Sequence, residues 1–446
     1  MGAKAREVVV VLLHLAFWSQ LGVLTRVYLD ALFQGGCSGT FGVCLTSTGS
    51  RRGSLGAYFT DLPPNMLGSF LMGLLAASST LGLNTGKMLA ILPAHHAWQG
   101  MPELHIGLRT GFCGSLTTFA SWAYTQLLQL IGGQGWDGGQ WAEMLWGLVI
   151  GLQLSLASYV FGEHCALIID RYCVAGGAAE TEPKAMLETL AESMEAADEG
   201  RLGQPRSSQD PELAQLGAQL AERGEVVLPL ADIARRHAAQ CDVNTEQRGA
   251  LAALAHRLRA AADHRKAAVA PFLAEDPGRY VLHRRSNLAV AAGLAALTAL
   301  WVVLAVVDDH PDQAARRAQW FAMLLGPFGC MLRWLLSRLN YRLPGSWRWL
   351  PAGTLAANML GCLTDFIVGV IAVRVGVLGY WPLVVMYAVR TGFAGALSTV
   401  STYVAETHAQ LKLVPESLHG YEYSFGSLLA GLLLGVVVYG PAVWAH

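Results

Sequence analysis

The chain has 446 residues, 53% of them hydrophobic and only 14% charged, with a mean hydropathy of +0.38 and a formal net charge of −1. That apolar weight places it among multi-span membrane proteins rather than soluble multi-domain proteins, and a charge near zero excludes the basic surface that a nucleic-acid partner requires. Eight cysteines without metal-ligand spacing, most of them inside apolar segments, read as small hydrophobes.

The opening MGAKAREVVVVLLHLAFW has no small-residue cleavage site after its apolar run, so it reads as a retained first span rather than a signal peptide. That span, residues 7–32, carries Arg26 one turn after Gly22. An arginine there needs a polar partner or a vestibule, or must snorkel to the interface. The loop at 33–60 is rich in Gly, Ser and Thr; it holds Cys37 and Cys44, whose pairing stays open if the loop is extracellular. A second span opens at Pro63 and Pro64, as a helix start allows, and continues NMLGSFLMGLL. Its Asn65 either glues two helices together or offers its donors to an anion. His95, His96, Glu103 and His105 follow in a short stretch; without three- or four-residue spacing they read as solvated loop residues, not a metal set.

The third span contains RTGFCGSLTTFASW, residues 109–122, in which Gly111, Gly114, Thr117 and Thr118 crowd an otherwise apolar segment. A membrane helix broken there exposes carbonyls, tolerated only where protein buries them or an ion takes them up. The fourth span, 141–169, presents Ser155 and Ser158 with Gly162 a turn further on. Residues 172–285 are polar and rich in Ala, Glu, Arg and Gln, a solvated linker with short helical patterns. Residues 286–308 then form one uninterrupted span whose side chains include only Thr298 as a polar group between 288 and 307.

The remainder, 309–446, replays the first 171 residues. Gly329 and Arg333 repeat the spacing of Gly22 and Arg26, NMLG recurs at Asn358, and Ser427 and Gly431 repeat Ser158 and Gly162. The broken segment returns as RTGFAGALSTVSTY, residues 390–403, identical at seven of fourteen positions. Four spans, one connector and four more make nine. The odd connector reverses the second set, so the expected fold is an all-α membrane protein of two inverted four-helix repeats. Arginines flanking the linker suggest a cytosolic amino terminus. Asp365 is the lone intramembrane carboxylate, expected at a helix end or against a packed hydroxyl, with a proton or cation site as the alternative. No nucleophile, base and orienting group recur at workable spacing, so an enzyme is not expected.

These paired motifs, GFxGxLTTF-like, NMLG and G-x-x-x-R, each present twice in the same order, resemble the Fluc/FEX (CrcB-like) fluoride channels. The resemblance is to the eukaryotic form in which two repeats are fused through a connector, and it covers both halves but not the linker. It implies a passive, highly selective channel that exports fluoride across the plasma membrane and gives fluoride resistance. It also implies that the fused chain works alone. A transporter of another small ion and a non-conducting relative with an interaction role remain the alternatives. A small, tightly hydrated anion needs donors to replace its water, and aromatic ring edges add to them. By the resemblance the donors are Asn65, Asn358, Thr118, Ser398, Thr399, Ser158 and Ser427. One pore would pair Phe119 with Tyr403 and the other Trp122 with Val400, and only the first has a ring on both sides. Arg26 and Arg333 would stand at the vestibules. Carbonyls of Gly114, Thr117, Gly395 and Ser398 would hold a structural sodium ion where the broken helices cross, with no organic cofactor.

Overall fold

The computed structural model describes residues 3–35, 59–80, 88–93, 95–133, 138–174, 277–308, 314–377, 379–412, 414 and 417–445. The expectations for Cys37, Cys44, Arg51, Arg52 and the body of the 172–285 linker fall outside these residues. Every regular element described is a helix. Two compact units are formed, one from Met1–Gly73, Pro102–Gly162 and Val281–His446, the other from Leu74–Met101 and Glu163–Tyr280.

In chain order the first half contributes α1 (Ala3–Gly35), α2 (Leu62–Thr80), whose residues from Leu74 on belong to the smaller unit, and a composite third segment. That segment is α3 (Pro102–Ile106), a wide π turn (Gly107–Cys113), α4 (Gly114–Leu116) and, after a break, α5 (Ala120–Ile131). The fourth helix is α6 (Trp141–Ile169), and the connector is α7 (Pro277–Val307). The second half follows with α8 (Ala314–Leu336) and α9 (Ala352–Val375). Its own composite is α10 (Tyr380–Ala388), a π turn (Val389–Ala394), α11 (Gly395–Leu397) and α12 (Ser401–Leu411), and α13 (His419–Trp444) ends it. Both composites place the π turn, the short helix and the break at matching positions of the repeated sequence, so the local fold follows the motif and not the flanking residues.

Among the described residues seven stretches are long and apolar enough to cross a bilayer. The first-half segments that do not reach that measure are α2, apolar over Leu62–Ala77, and the composite at 102–131, whose second-half counterpart Tyr380–Leu411 does.

Close backbone approach explains the paired glycines. A Cβ on Gly22 would collide with the Phe112 carbonyl and crowd Leu116 N, and one on Gly329 would meet the equivalent Phe393 carbonyl and Leu397 N. Backbone atoms cannot swing aside, so each first helix seats directly on its own half's broken segment. The core beside it gathers Leu15, Val23, Val27, Trp301, Trp320, Met323 and Cys330. Thr298 on the connector proves to be a docking group, accepting from Gln20 Nε2 at 3.2 Å while Trp301 Nε1 donates to Gln20 Oε1 at 3.2 Å. Asn287 extends that seam, bonding His14 at 2.9 Å and Glu103 at 3.3 Å.

Glu103 and His105 are therefore not solvated loop residues as expected: both lie on α3 and are buried. Glu103 is buried where it meets the connector, whose Asn287 donates to it from 184 residues away in sequence. In the smaller unit Ala77, Ala90 and Ala166 pack together. The Gln99 carboxamide pins a turn there by exchanging two 2.8 Å hydrogen bonds with the backbone of Leu89.

Candidate functional site

The two breaks are built alike. Thr117 and Ser398 leave the helical region, with φ −94°, ψ 149° and φ −84°, ψ 157°. In a continuous helix Thr118 N–H would bond Gly114 O, and Thr399 N–H would bond Gly395 O. Instead Thr118 N–H donates to Asn65 Oδ1 and Thr399 N–H to Asn358 Oδ1, both at 2.8 Å. Each carboxamide closes the clamp by donating back, to Thr118 O at 3.2 Å and to Thr399 O at 3.3 Å. The asparagines thus hold the breaks open, and each keeps one amide hydrogen beyond the clamp. One turn on, Ser121 N–H and Thr402 N–H turn to the hydroxyls of Thr118 and Thr399 at 3.4 Å. The carbonyls of Gly114, Thr117, Gly395 and Ser398 all lose their helical donors in this way.

Hydroxyls join the two halves across the breaks. Thr117 Oγ1 lies 3.1 Å from Thr399 Oγ1 and accepts from Ser401 N–H at 3.1 Å, while Thr118 Oγ1 lies 3.2 Å from Ser398 Oγ. Ser398 Oγ in turn accepts from Ala120 N–H at 3.0 Å. Segments distant in sequence are thereby cross-linked where both chains are extended, and these side chains are fully buried.

The arginines make reciprocal reaches. Arg26, from the first half, donates to Gly395 O at 2.8 Å and to Thr391 O in the second. Arg333, from the second half, donates to the equivalent Thr110 O at 2.7 Å in the first. Reciprocal contacts between equivalent residues are what a two-fold relation produces. A Cβ on Gly114 would overlap the Arg333 guanidinium and one on Gly395 that of Arg26, so a larger residue at either would displace the arginine from its seat. The two arginines nevertheless differ: Nε and Nη1 of Arg333 are buried without a hydrogen-bond partner, so donors remain to be used.

The aromatic residues form one chain of contacts in which Phe119 stands between Tyr403 and Trp122, its centroid 5.6 Å from that of Trp122 at an interplanar angle of 73°. Phe119 meets Tyr403 edge-on with ring centroids 5.4 Å apart, and a Cβ on Gly431 would lie 3.3 Å from the Phe119 ring. The Tyr403 hydroxyl donates to Ser424 O at 2.6 Å, fixing its ring. Ser427, four residues before Gly431, is buried with a hydroxyl that has no partner. Trp122 in turn stacks on Phe59 with centroids 5.7 Å apart and donates from Nε1 to Gly147 O at 3.3 Å. Its ring lies against Gly151, where a Cβ would strike it. Val400 is buried and Ser158 half-buried; Ser155, a turn earlier, carries a buried hydroxyl without a partner.

Asp365 contradicts its sequence reading. It sits inside α9, away from either end, and its Oδ1 is 4.0 Å from Arg390 Nε with no hydrogen bond. Nor is it alone: Asp30, Asp61, Asp365, Arg26, Arg390, Thr118, Ser121 and Tyr387 line one cavity of about 340 Å³. Arg390 lies over the Tyr124 ring at 4.2 Å, and Ser121 Oγ donates to Asp61 Oδ2 at 2.6 Å. Sequence reasoning missed Asp30, Asp61, Ser121 and Arg390. One signal was present: Asp61 precedes Asn65 by the four residues that separate Thr354 from Asn358, so the halves differ there in charge.

A family model described as CrcB-like protein, camphor resistance (CrcB), matches residues 13–162 and again 320–440, together more than half of the chain. Fluoride export protein 1 of Neurospora crassa is 37% identical over 148 residues, which are 31% of this chain and 26% of that protein. Fluoride-specific ion channel FluC 2 of Moorella thermoacetica is 40% identical over 110 residues, 24% of this chain and 83% of that protein. Fluoride export protein 1 of Candida albicans is 30% identical over 154 residues, 33% and 37% respectively. The aligned stretches thus span well under half of either fungal relative. No solved structure matches the chain at a significant level.

Proposed function

The chain belongs to the CrcB-like family, and from that premise we propose that it is a passive, fluoride-selective channel that exports fluoride from the cytoplasm across the plasma membrane. The observation that carries the reading is the Phe119–Tyr403 edge contact beside the unpartnered Ser427 hydroxyl. A bare halide needs donors and electropositive ring edges without competing acceptors, and this is where the molecule supplies them. Relatives named as fluoride exporters and fluoride-specific channels support the same ion.

In this reading the two family-matched regions are inverted repeats and a single fused chain suffices. Nine crossings are reached when α2 and the composite at 102–131 are added to the seven long apolar stretches. Fluoride passes between Phe119 and Tyr403, with the second amide hydrogen of Asn358 and the Ser427 hydroxyl as donors. Arg333, with its spare donors, draws anions to this route, whereas Arg26 serves the fold by capping carbonyls. An interior-negative potential of 100 mV is worth about 2.3 kcal/mol per elementary charge, which expels an anion without fuel. The Trp122 side, where Val400 has no ring edge to offer, does not conduct.

The donor set at the crossing suits a cation. Gly114 O and Gly395 O lose their helical donors to the asparagine clamps, Thr117 O and Ser398 O lose theirs to the threonine hydroxyls, and of the four Gly395 O is shared with Arg26. Neutral oxygens of this kind favour a hard ion such as sodium, held structurally and not transported.

Purified protein in fluoride-loaded liposomes tests the function. Fluoride, read by an electrode, is expected to leave at a rate proportional to protein, with chloride retained and no dependence on an imposed pH gradient. Chloride efflux at a comparable rate, or no efflux of either ion, would overturn the proposal.

A further inference from the structure

The acidic cavity is a difference between the halves. Asp30, Asp61 and Asp365 stand where the repeat places Ser337, Thr354 and Met72, so each of the three carboxyls has a neutral counterpart. Asp61 is the carboxyl nearest Trp122 along the chain contacts: it follows Phe59 by two residues, Phe59 stacks on Trp122, and Ser121, which donates to Asp61, is next to Trp122 in the chain.

Resting on the fluoride reading above, we propose that Asp61 is the specificity-determining residue that closes the Trp122 route to anions. Ser121 has one hydroxyl hydrogen and gives it to Asp61 Oδ2 at 2.6 Å. Thr118 Oγ1 lies 3.2 Å from Ser398 Oγ and accepts from Ser121 N–H, so Ser121 has neither its hydroxyl hydrogen nor its N–H left for an entering halide. Two further carboxyl oxygens, Asp30 Oδ1 and Asp365 Oδ1, are buried without hydrogen-bond partners, and Asp365 is 1% exposed. The three carboxyl groups of the lining outnumber its two guanidiniums, Arg26 and Arg390. Arg390 stands 4.0 Å from Asp365, and Arg26 donates to the Gly395 and Thr391 carbonyls, so neither donates a hydrogen bond to Asp61. An anion here meets like charge and acceptors at once, the arrangement by which a protein rejects one ligand class.

The second half has its own carboxylate, Glu406, but there it is wrapped. Thr354 Oγ1, Asn340 Nδ2 and Tyr423 Oη donate to it at 2.7, 2.9 and 2.8 Å, so its acceptors are occupied. The charge at Asp61 is thus the difference in what an anion meets.

The test uses the Phe119→Ile background, in which the other route is blocked. Adding Asp61→Thr restores the chemistry of position 354 and frees the Ser121 hydroxyl; Asp61→Asn removes the charge at nearly constant shape. Either double variant is expected to raise fluoride efflux roughly tenfold over Phe119→Ile alone, the order that removing a close like charge gives, whereas Asp61→Glu stays at the background rate. If the unsubstituted chain conducts and both neutral double variants, folded and monodisperse, stay at the background rate, the inference is wrong. If the unsubstituted chain passes no fluoride, the fluoride reading itself fails, and the two failures are told apart by that one control.

Discussion

Replacing Phe119 by Ile lowers fluoride efflux from liposomes by roughly tenfold or more, the factor that about 1.4 kcal/mol on a barrier produces, while Trp122→Leu leaves the efflux of folded protein near its starting rate. The difference follows from what each ring touches. Phe119 and Tyr403 meet with their ring planes at 75° and their centroids 5.4 Å apart, and Tyr403 is itself held by a 2.6 Å hydrogen bond to Ser424 O. Isoleucine keeps the bulk and loses the electropositive edge, so an ion loses a contact that water cannot replace in a dry passage. Trp122 is wedged between Phe59, Phe119 and the Gly147–Gly151 face of α6, with its N–H spent on Gly147 O. Shortening it costs packing, as large-to-small core changes do, including one neighbour of Phe119, but leaves both Phe119 and Tyr403 in place. Efflux must therefore be expressed per folded protein. Intact flux in Phe119→Ile together with loss in Trp122→Leu would reverse the assignment of routes.

Withdrawing sodium is expected to destabilise the protein without changing which ion it passes. The proposed ion answers the carbonyls of Gly114, Thr117 and Ser398, whose helical donors are diverted to Asn65 and to the hydroxyls of Thr118 and Thr399. A buried carbonyl left unpaired costs about 1–3 kcal/mol. An ion present at a hundred times its dissociation constant contributes about 2.7 kcal/mol to the folded state. Exchange of sodium for a large organic cation in the purification buffer should therefore lower the thermal transition, followed by loss of the monodisperse peak on gel filtration, and readdition should restore it. A transition indifferent to sodium from its absence to molar excess would remove the ion from the account. The guanidiniums of Arg26, on Gly395 O, and Arg333, against Gly114, would then supply the positive charge at the crossing.

The sequence was most readable where unusual residue types recur at fixed spacing. Gly114 and Gly395, Asn65 and Asn358, and the hydroxyl pairs after each break stand out because an apolar helix has no other use for them, and the structure brings them together. The π turns before the breaks, at Gly107–Cys113 and Val389–Ala394, left no such mark, since widening a turn asks for no special side chain. Arginine partners were invisible for a related reason: Arg26 and Arg333 bond backbone carbonyls, which every residue has. Asp365 misled because its companions Asp30 and Asp61 lie more than three hundred residues away in sequence and only folding lines them along one cavity. The buried Glu103 and His105 show the converse, polar neighbours in sequence hiding a buried setting in space.

All of this depends on the two repeats being opposed across the membrane. The most direct measurement introduces single cysteines at Glu7, near the start of α1, and at Ala315, near the start of α8, in a chain otherwise free of reactive thiols; both positions are exposed. Sealed vesicles of one orientation are then treated with an impermeant thiol reagent. The account predicts that one of the two labels from outside and the other only after the vesicles are opened; labelling of both from the same side would contradict it.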